Sequence, residues 1–159
     1  MVILIIMITQ LKVIIVGDSS VGKTTLLKKY IDHEFAEDLK PTLGLQFYSK
    51  TVEINQRKVS LQLWDTAGQE KYNSLIKNFY YNSNCVFILY SISDKKSFKH
   101  VLQWKKQAQE FISNDCLFVL VGTKKDLEKM RVVSFKEGKD MAYKQGFDIF
   151  METSAKKDY

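Results

Sequence analysis

The chain has little cysteine, almost no proline and no long apolar run. Its 159 residues hold two cysteines, one proline, seven glycines and two histidines. Cys85 and Cys116 form neither a Cys-x-x-Cys pair nor a Cys/His cluster, which excludes a disulfide-stapled scaffold and a zinc motif. Each stands in an apolar, strand-like run (85–89 and 116–120), so both read as small buried thiols of a protein in a reduced intracellular compartment. So little proline and glycine excludes collagen-like and linker-dominated chains. Residues 1–8 are continuously apolar, far short of the ~20 residues that a membrane-spanning helix needs. A secretory signal would want a basic start and a small-residue cleavage site, whereas the first basic residue here is Lys12. Residues 1–10 are therefore read as an apolar extension leading into the first strand.

What is present is the composition of one globular domain. Hydrophobic residues make up 45% of the chain, which excludes general disorder. A single domain of this size buries roughly 70% of its unfolded surface. The 24 basic and 18 acidic residues leave a net charge of +6, spread along the sequence. That charge suits an anionic ligand without calling for a nucleic acid.

Short apolar runs alternate with amphipathic stretches. Strands are expected at 11–16, 46–54, 58–64, 85–90, 116–121 and 147–151, and helices at 23–31, 95–112 and 135–144. Asn55-Gln56 between two strand candidates predicts an antiparallel hairpin. The remaining alternation of strand and helix predicts an α/β fold with a mostly parallel sheet covered on both faces.

Gly17-Asp18-Ser19-Ser20-Val21-Gly22-Lys23-Thr24 fits GxxxxGK[ST] between a strand and a helix. Its glycines let backbone N–H groups converge on a phosphate, and the helix N-terminus adds positive potential. Lys23 would meet the β- and γ-phosphates and the Thr24 hydroxyl would ligate Mg²⁺. Thr25 follows in the same helix turn. Asp65-Thr66-Ala67-Gly68-Gln69 follows the strand at 58–64. There Asp65 would hold Mg²⁺ through water, Gly68 would approach a terminal phosphate and Gln69 would orient an attacking water. Pro41-Thr42 lies between the first helix and the second strand, and Thr42 would be a second hydroxyl for the metal. Thr123-Lys124-Lys125-Asp126 ends a strand, where open α/β sheets bind ligands. The Asp126 carboxylate can accept two hydrogen bonds from guanine, which adenine does not offer, and the Lys124 stem can cover the ring. Ser154, Ala155 and Lys156, after the last strand, place backbone N–H groups for a guanine oxygen.

These five segments, in this order, resemble the Ras superfamily of small GTPases, and within it the Rab family. Leu43-Gly44-Leu45-Gln46-Phe47, Ser60-Leu61-Gln62-Leu63-Trp64, Tyr72-Asn73-Ser74-Leu75-Ile76 and Tyr80-Tyr81-Asn82 look like Rab signature segments. The resemblance implies a three-layer α/β/α P-loop domain over 1–159 that hydrolyses GTP with Mg²⁺ and switches between two states. By position, Phe35 would pack on the guanine, Thr42 would sense the γ-phosphate, and Phe47, Trp64 and Tyr80 would meet effectors. The implied partners are exchange factors, GTPase-activating proteins and effectors of vesicle traffic. The implied location is the cytoplasm, at the cytoplasmic faces of endomembranes.

The chain departs from that pattern in several places. Thr123 stands where most Rabs have asparagine, which predicts weaker ties from this loop to the phosphate loop. Ser19 replaces a glycine and predicts slow intrinsic hydrolysis. Leu45-Gln46 predicts altered effector choice, and Ser91 replaces an aspartate without an assigned role. No arginine is placed to act in cis, since Arg57 and Arg131 fall in the hairpin and a later loop. The sequence stops soon after the base-contacting segment, so the family's final helix and prenylated cysteines are expected to be missing, and with them anchoring through a C-terminal cysteine. Two alternatives stand beside a GTP-cycling switch: a guanine-nucleotide binder that does not cycle, and a truncated product without function.

Overall fold

A computed structural model of the chain describes residues 9–35, 42, 44–66, 79–112 and 115–157. Residues 1–8, Pro41, Leu43, Gly68, Gln69 and the segment around Tyr72 lie outside the described residues. The elements in chain order are β1 (Thr9–Gly17), α1 (Lys23–Asp32), β2 (Leu45–Ile54), β3 (Arg57–Thr66) and β4 (Cys85–Ser91). They continue with α2 (Lys95–Gln109), β5 (Leu117–Thr123), a 3-10 helix (Lys125–Met130), α3 (Phe135–Lys144) and β6 (Ile149–Glu152).

The strands form one sheet in the order β2-β3-β1-β4-β5-β6. Only β2 and β3 are antiparallel; the other neighbours run parallel. Ile54 pairs with Arg57, so Asn55 and Gln56 alone make the turn. Both take positive φ, 51° and 62°, as a twist-matched two-residue hairpin requires.

Alternation along the parallel strands sends their side chains into two separate cores. Ile14, Val16, Val86, Ile88, Phe118 and Leu120 meet Phe98, Val101, Trp104 and Ala108 of α2 and Ala142 of α3. Ile15, Leu63, Leu89, Val119 and Val121 meet Leu27 of α1. The sheet thus lies between α1 on one face and α2 with α3 on the other, the three layers expected. Tyr90 is wedged on the α2–α3 side. A Cβ added at Gly122 would lie 2.9 Å from its hydroxyl, and one at Gly138 only 2.5 Å away.

Element ends differ from the sequence expectation where tertiary contacts take over. The helix expected over 95–112 stops at Gln109, because Phe111 turns inward to stack on Tyr80 with ring centroids 6.2 Å apart. The last strand begins at Ile149 rather than at Phe147. Phe147 packs edge-on against Phe118, while the Asp148 carboxylate accepts from the Phe118 N–H at 2.7 Å. Cys116 is buried but Cys85 is only half-buried, and both thiols are free. Burial pushes them up, Cys85 to about 12 and Cys116 to about 11. Among the described residues, no helix is long and apolar enough to cross a membrane.

Candidate functional site

The candidate site lies at the carboxyl ends of β1, β3 and β5, with β1 carrying the phosphate loop between its two parallel neighbours. The loop turns on positive φ at Gly17 (143°), Ser20 (63°) and Gly22 (97°). At Gly17 a side chain is impossible, since a Cβ would lie 2.3 Å from the Leu89 carbonyl oxygen. Gly22 begins α1 with no side-chain cap, so the helix presents uncapped N–H groups toward the loop centre. Val21 is buried, while Ser19 and Ser20 are exposed and Thr25 is half-buried on the first turn of α1.

Lys23 is 5% exposed. Its Nζ donates to the carbonyls of Gly17 at 2.8 Å and Asp18 at 2.7 Å. Burial lowers its pKa to about 8, against the opposing pull of Asp65 and Asp18. A desolvated ammonium held by two backbone oxygens beside a helix N-terminus is chemistry for a polyanion.

The three residues expected at the metal do come together. Thr24 Oγ1 lies 2.6 Å from Thr42 Oγ1 and donates to Asp65 Oδ2 at 2.5 Å. Asp65 is 0% exposed, and its Oδ1 is buried without a hydrogen-bond partner among the described residues. Burial raises the Asp65 carboxyl above its usual range, while Thr24, Lys23 and Thr42 pull it back. An all-oxygen set with one orphaned carboxylate oxygen fits a hard divalent cation such as Mg²⁺. Gly68 and Gln69, expected at the phosphate end, lie outside the described residues.

The segments expected to meet the base are cross-linked to each other and to the phosphate loop. Ser154 Oγ donates to Asp126 Oδ1 at 2.6 Å and accepts from the N–H groups of Lys156 and Lys157. The Lys125 N–H donates to the Thr153 carbonyl at 3.1 Å, and the Thr153 N–H to that of Gly122 at 2.8 Å. Lys124 takes φ 59°, and its Cε lies 4.0 Å from where a Gly22 Cβ would sit, so its stem reaches the phosphate loop. Ala155 is half-buried. Lys156 Nζ lies 5.9 Å from the ring centroid of half-exposed Phe35, which puts Phe35 on the base side.

One expectation is given a geometry and one is corrected. Thr123 joins this loop to the phosphate loop: its Oγ1 lies 2.5 Å from the Val21 carbonyl oxygen and 2.9 Å from that of Tyr90. The hydroxyl is short enough to sit inside the core and still reach across. Tyr80 is not on an effector surface, because it is 1% exposed and packed in the core. Its neighbours Phe79, partly exposed, and Tyr81, 66% exposed, are the aromatics with surface there. Phe47 does stand on the surface, 51% exposed, edge-on to Trp64 with centroids 5.0 Å apart.

Sequence reasoning missed two arrangements. Arg131 is bonded to both carboxylate oxygens of Glu152 at 2.7 and 2.8 Å and also to Glu128, which ties the 3-10 helix to the last strand. Asp18 accepts from Trp104 Nε1 at 2.8 Å and lies 2.6 Å from His100 Nδ1. Only the i, i+4 spacing of His100 and Trp104 hinted that they share a helix face.

A sequence profile described as the Ras family matches residues 12–159. The chain is 43% identical over 145 residues to Ras-related protein Rab-2B of Dictyostelium discoideum, covering 91% of this chain and 71% of that protein. It is likewise 43% identical to Ras-related protein Rab-11B of the same organism, over 91% of this chain and 65% of that one. With Ras-related protein RABG3b of Arabidopsis thaliana it shares 40% identity over 160 residues, 95% of this chain and 77% of the other.

Proposed function

Because the chain belongs to the Ras family of small GTPases, in its Rab branch, we propose that it is a guanine-nucleotide switch that hydrolyses GTP and regulates vesicle traffic. The observation that carries this reading is the buried Lys23 ammonium beside the Thr24–Thr42–Asp65 oxygen cluster at the N-terminus of α1. Lys23 would bind the β- and γ-phosphates, and the N–H groups of residues 19–24 would enclose them. Mg²⁺ held by Thr24, Thr42 and Asp65 would neutralise phosphate charge. Gln69 would orient water for in-line attack on the γ-phosphorus, and Gly68 would contact that phosphate. Asp126, held by Ser154, would read the guanine edge, with Lys124 and Phe35 on the ring and Ala155 and Lys156 at its oxygen. Thr42 links metal and γ-phosphate, so hydrolysis would release its segment.

Arg131 is committed to Glu128 and Glu152, and Arg57 lies at the hairpin turn. A partner's arginine would therefore complete the transition state, a contribution of roughly 10³–10⁵ in rate in this class of enzymes. Effectors would read Phe47 and Trp64, which meet on the hairpin. Binding of a fluorescent guanine nucleotide, competed by GTP but not by excess ATP, tests the ligand. Gln69→Leu should keep that binding and lose activator-stimulated hydrolysis. Undiminished stimulated turnover in that variant would overturn the role of Gln69, and binding without any turnover would favour a non-cycling nucleotide binder.

A further inference from the structure

We propose that His100 and Trp104 of α2 are positioning residues of the phosphate loop, acting through the side chain of Asp18. The inference rests on the nucleotide-binding reading above. His100 and Trp104 are four residues apart and so lie on one face of the helix. From that face each takes a different oxygen of the same carboxylate: Trp104 Nε1 donates to Asp18 Oδ1 at 2.8 Å, and His100 Nδ1 lies 2.6 Å from Asp18 Oδ2. The side chains of Asp18 and His100 are both largely buried, where a charge-assisted hydrogen bond is strong.

The backbone of Asp18 serves the site. Its carbonyl oxygen accepts from Lys23 Nζ at 2.7 Å. The residue whose side chain α2 grips is therefore the residue whose backbone holds the phosphate-binding ammonium. An aspartate in a phosphate-binding loop also poses an electrostatic problem, since a free carboxylate would repel the ligand. Two N–H donors aimed at its two oxygens offset that charge and turn it toward the helix. α2 does not need this contact to dock, because Phe98, Val101 and Ala108 already bury its apolar stripe against the sheet. The contact is thus available to set the shape and charge of the loop before nucleotide arrives, which is preorganisation of a binding site.

The test is a double-mutant cycle on the full chain, read as the dissociation rate of N-methylanthraniloyl-GDP. His100→Leu and Trp104→Phe should each speed release about 3- to 10-fold, a part of the roughly 10- to 100-fold that one hydrogen bond to a charged group can supply, since the loss reaches the nucleotide only through the loop. Trp104→Phe removes the N–H and part of the ring's packing, so far-UV circular dichroism checks that each variant is folded and the Asp18→Ala background separates the two losses. His100→Asn, which offers an amide N–H from about the same place, should restore most of the slow release. In an Asp18→Ala background neither His100→Leu nor Trp104→Phe should speed release further. Equal acceleration with and without Asp18, or folded variants with unchanged release, would overturn the inference while leaving nucleotide binding intact. A wild-type chain that does not retain the nucleotide would overturn the underlying reading and this inference with it.

Discussion

At the scale of single residues, a hydroxyl at position 123 joins the 123–126 loop to the phosphate loop. Thr123 reaches the carbonyls of Val21 and Tyr90 from inside the core. Thr123→Val keeps the shape and removes the single hydroxyl proton that the two carbonyls share, which costs about 1–3 kcal/mol. The expected outcome is a lower thermal midpoint and faster guanine-nucleotide release, with Thr123→Ser close to wild type on both measures. The spacing of glycines, lysine and threonine in residues 17–24 announced the phosphate loop, because that chemistry depends on residue types at fixed offsets. The grip of His100 and Trp104 on Asp18 was not readable, since it joins residues 82 and 86 positions apart through a helix orientation that packing alone decides. Tyr80 misled for the same reason: a one-residue step around a helical turn exchanges core for surface, and its neighbours Phe79 and Tyr81 are the ones with exposed area.

At the scale of elements, α3 matched its sequence boundaries because its start is written locally. Ser134 accepts from the Glu137 N–H at 3.2 Å while Glu137 accepts from the Ser134 N–H at 2.8 Å, a reciprocal cap. Lys95 of α2 also donates to Glu137. These partners, Lys95 first, hold the Glu137 carboxyl at about 2, below its ordinary 4.5. A carboxyl depressed on folding stabilises the native state above its unfolded pKa and loses that contribution as the proton returns. Stability from this group is therefore complete above pH 4.5 and fades as pH falls toward 2. Acid titration of the thermal midpoint should show this component in wild type and lack it in Glu137→Gln. The hairpin was equally readable in place, yet its turn chemistry is unusual. Gln56 occupies positive φ, where a side chain is strained, so Gln56→Gly should raise the urea midpoint by the equivalent of about 0.5–1 kcal/mol.

At the scale of the whole molecule, the sheet is unevenly protected. β1, β3, β4 and β5 lie inside it, and Ile14 of β1, Ile88 and Leu89 of β4 and Leu120 of β5 have no exposed surface. β2 and β6 are its edges. Native-state hydrogen exchange should therefore find the slowest amides in β1, β4 and β5, exchanging only through global unfolding, and faster local opening at β2 and β6. Equal protection across all six strands would contradict this ordering. Tyr90 carries a different kind of consequence. Its hydroxyl crowds the position of a Cβ at both Gly122 and Gly138, and Phe150 crowds the second as well. For a lineage accumulating substitutions, these sites cannot change in any order. Tyr90 has to shrink before Gly122 can gain a side chain, and Phe150 has to yield too before Gly138 can. The reverse order passes through intermediates whose new side chain overlaps Tyr90 or Phe150, so the order of substitution at these positions is constrained.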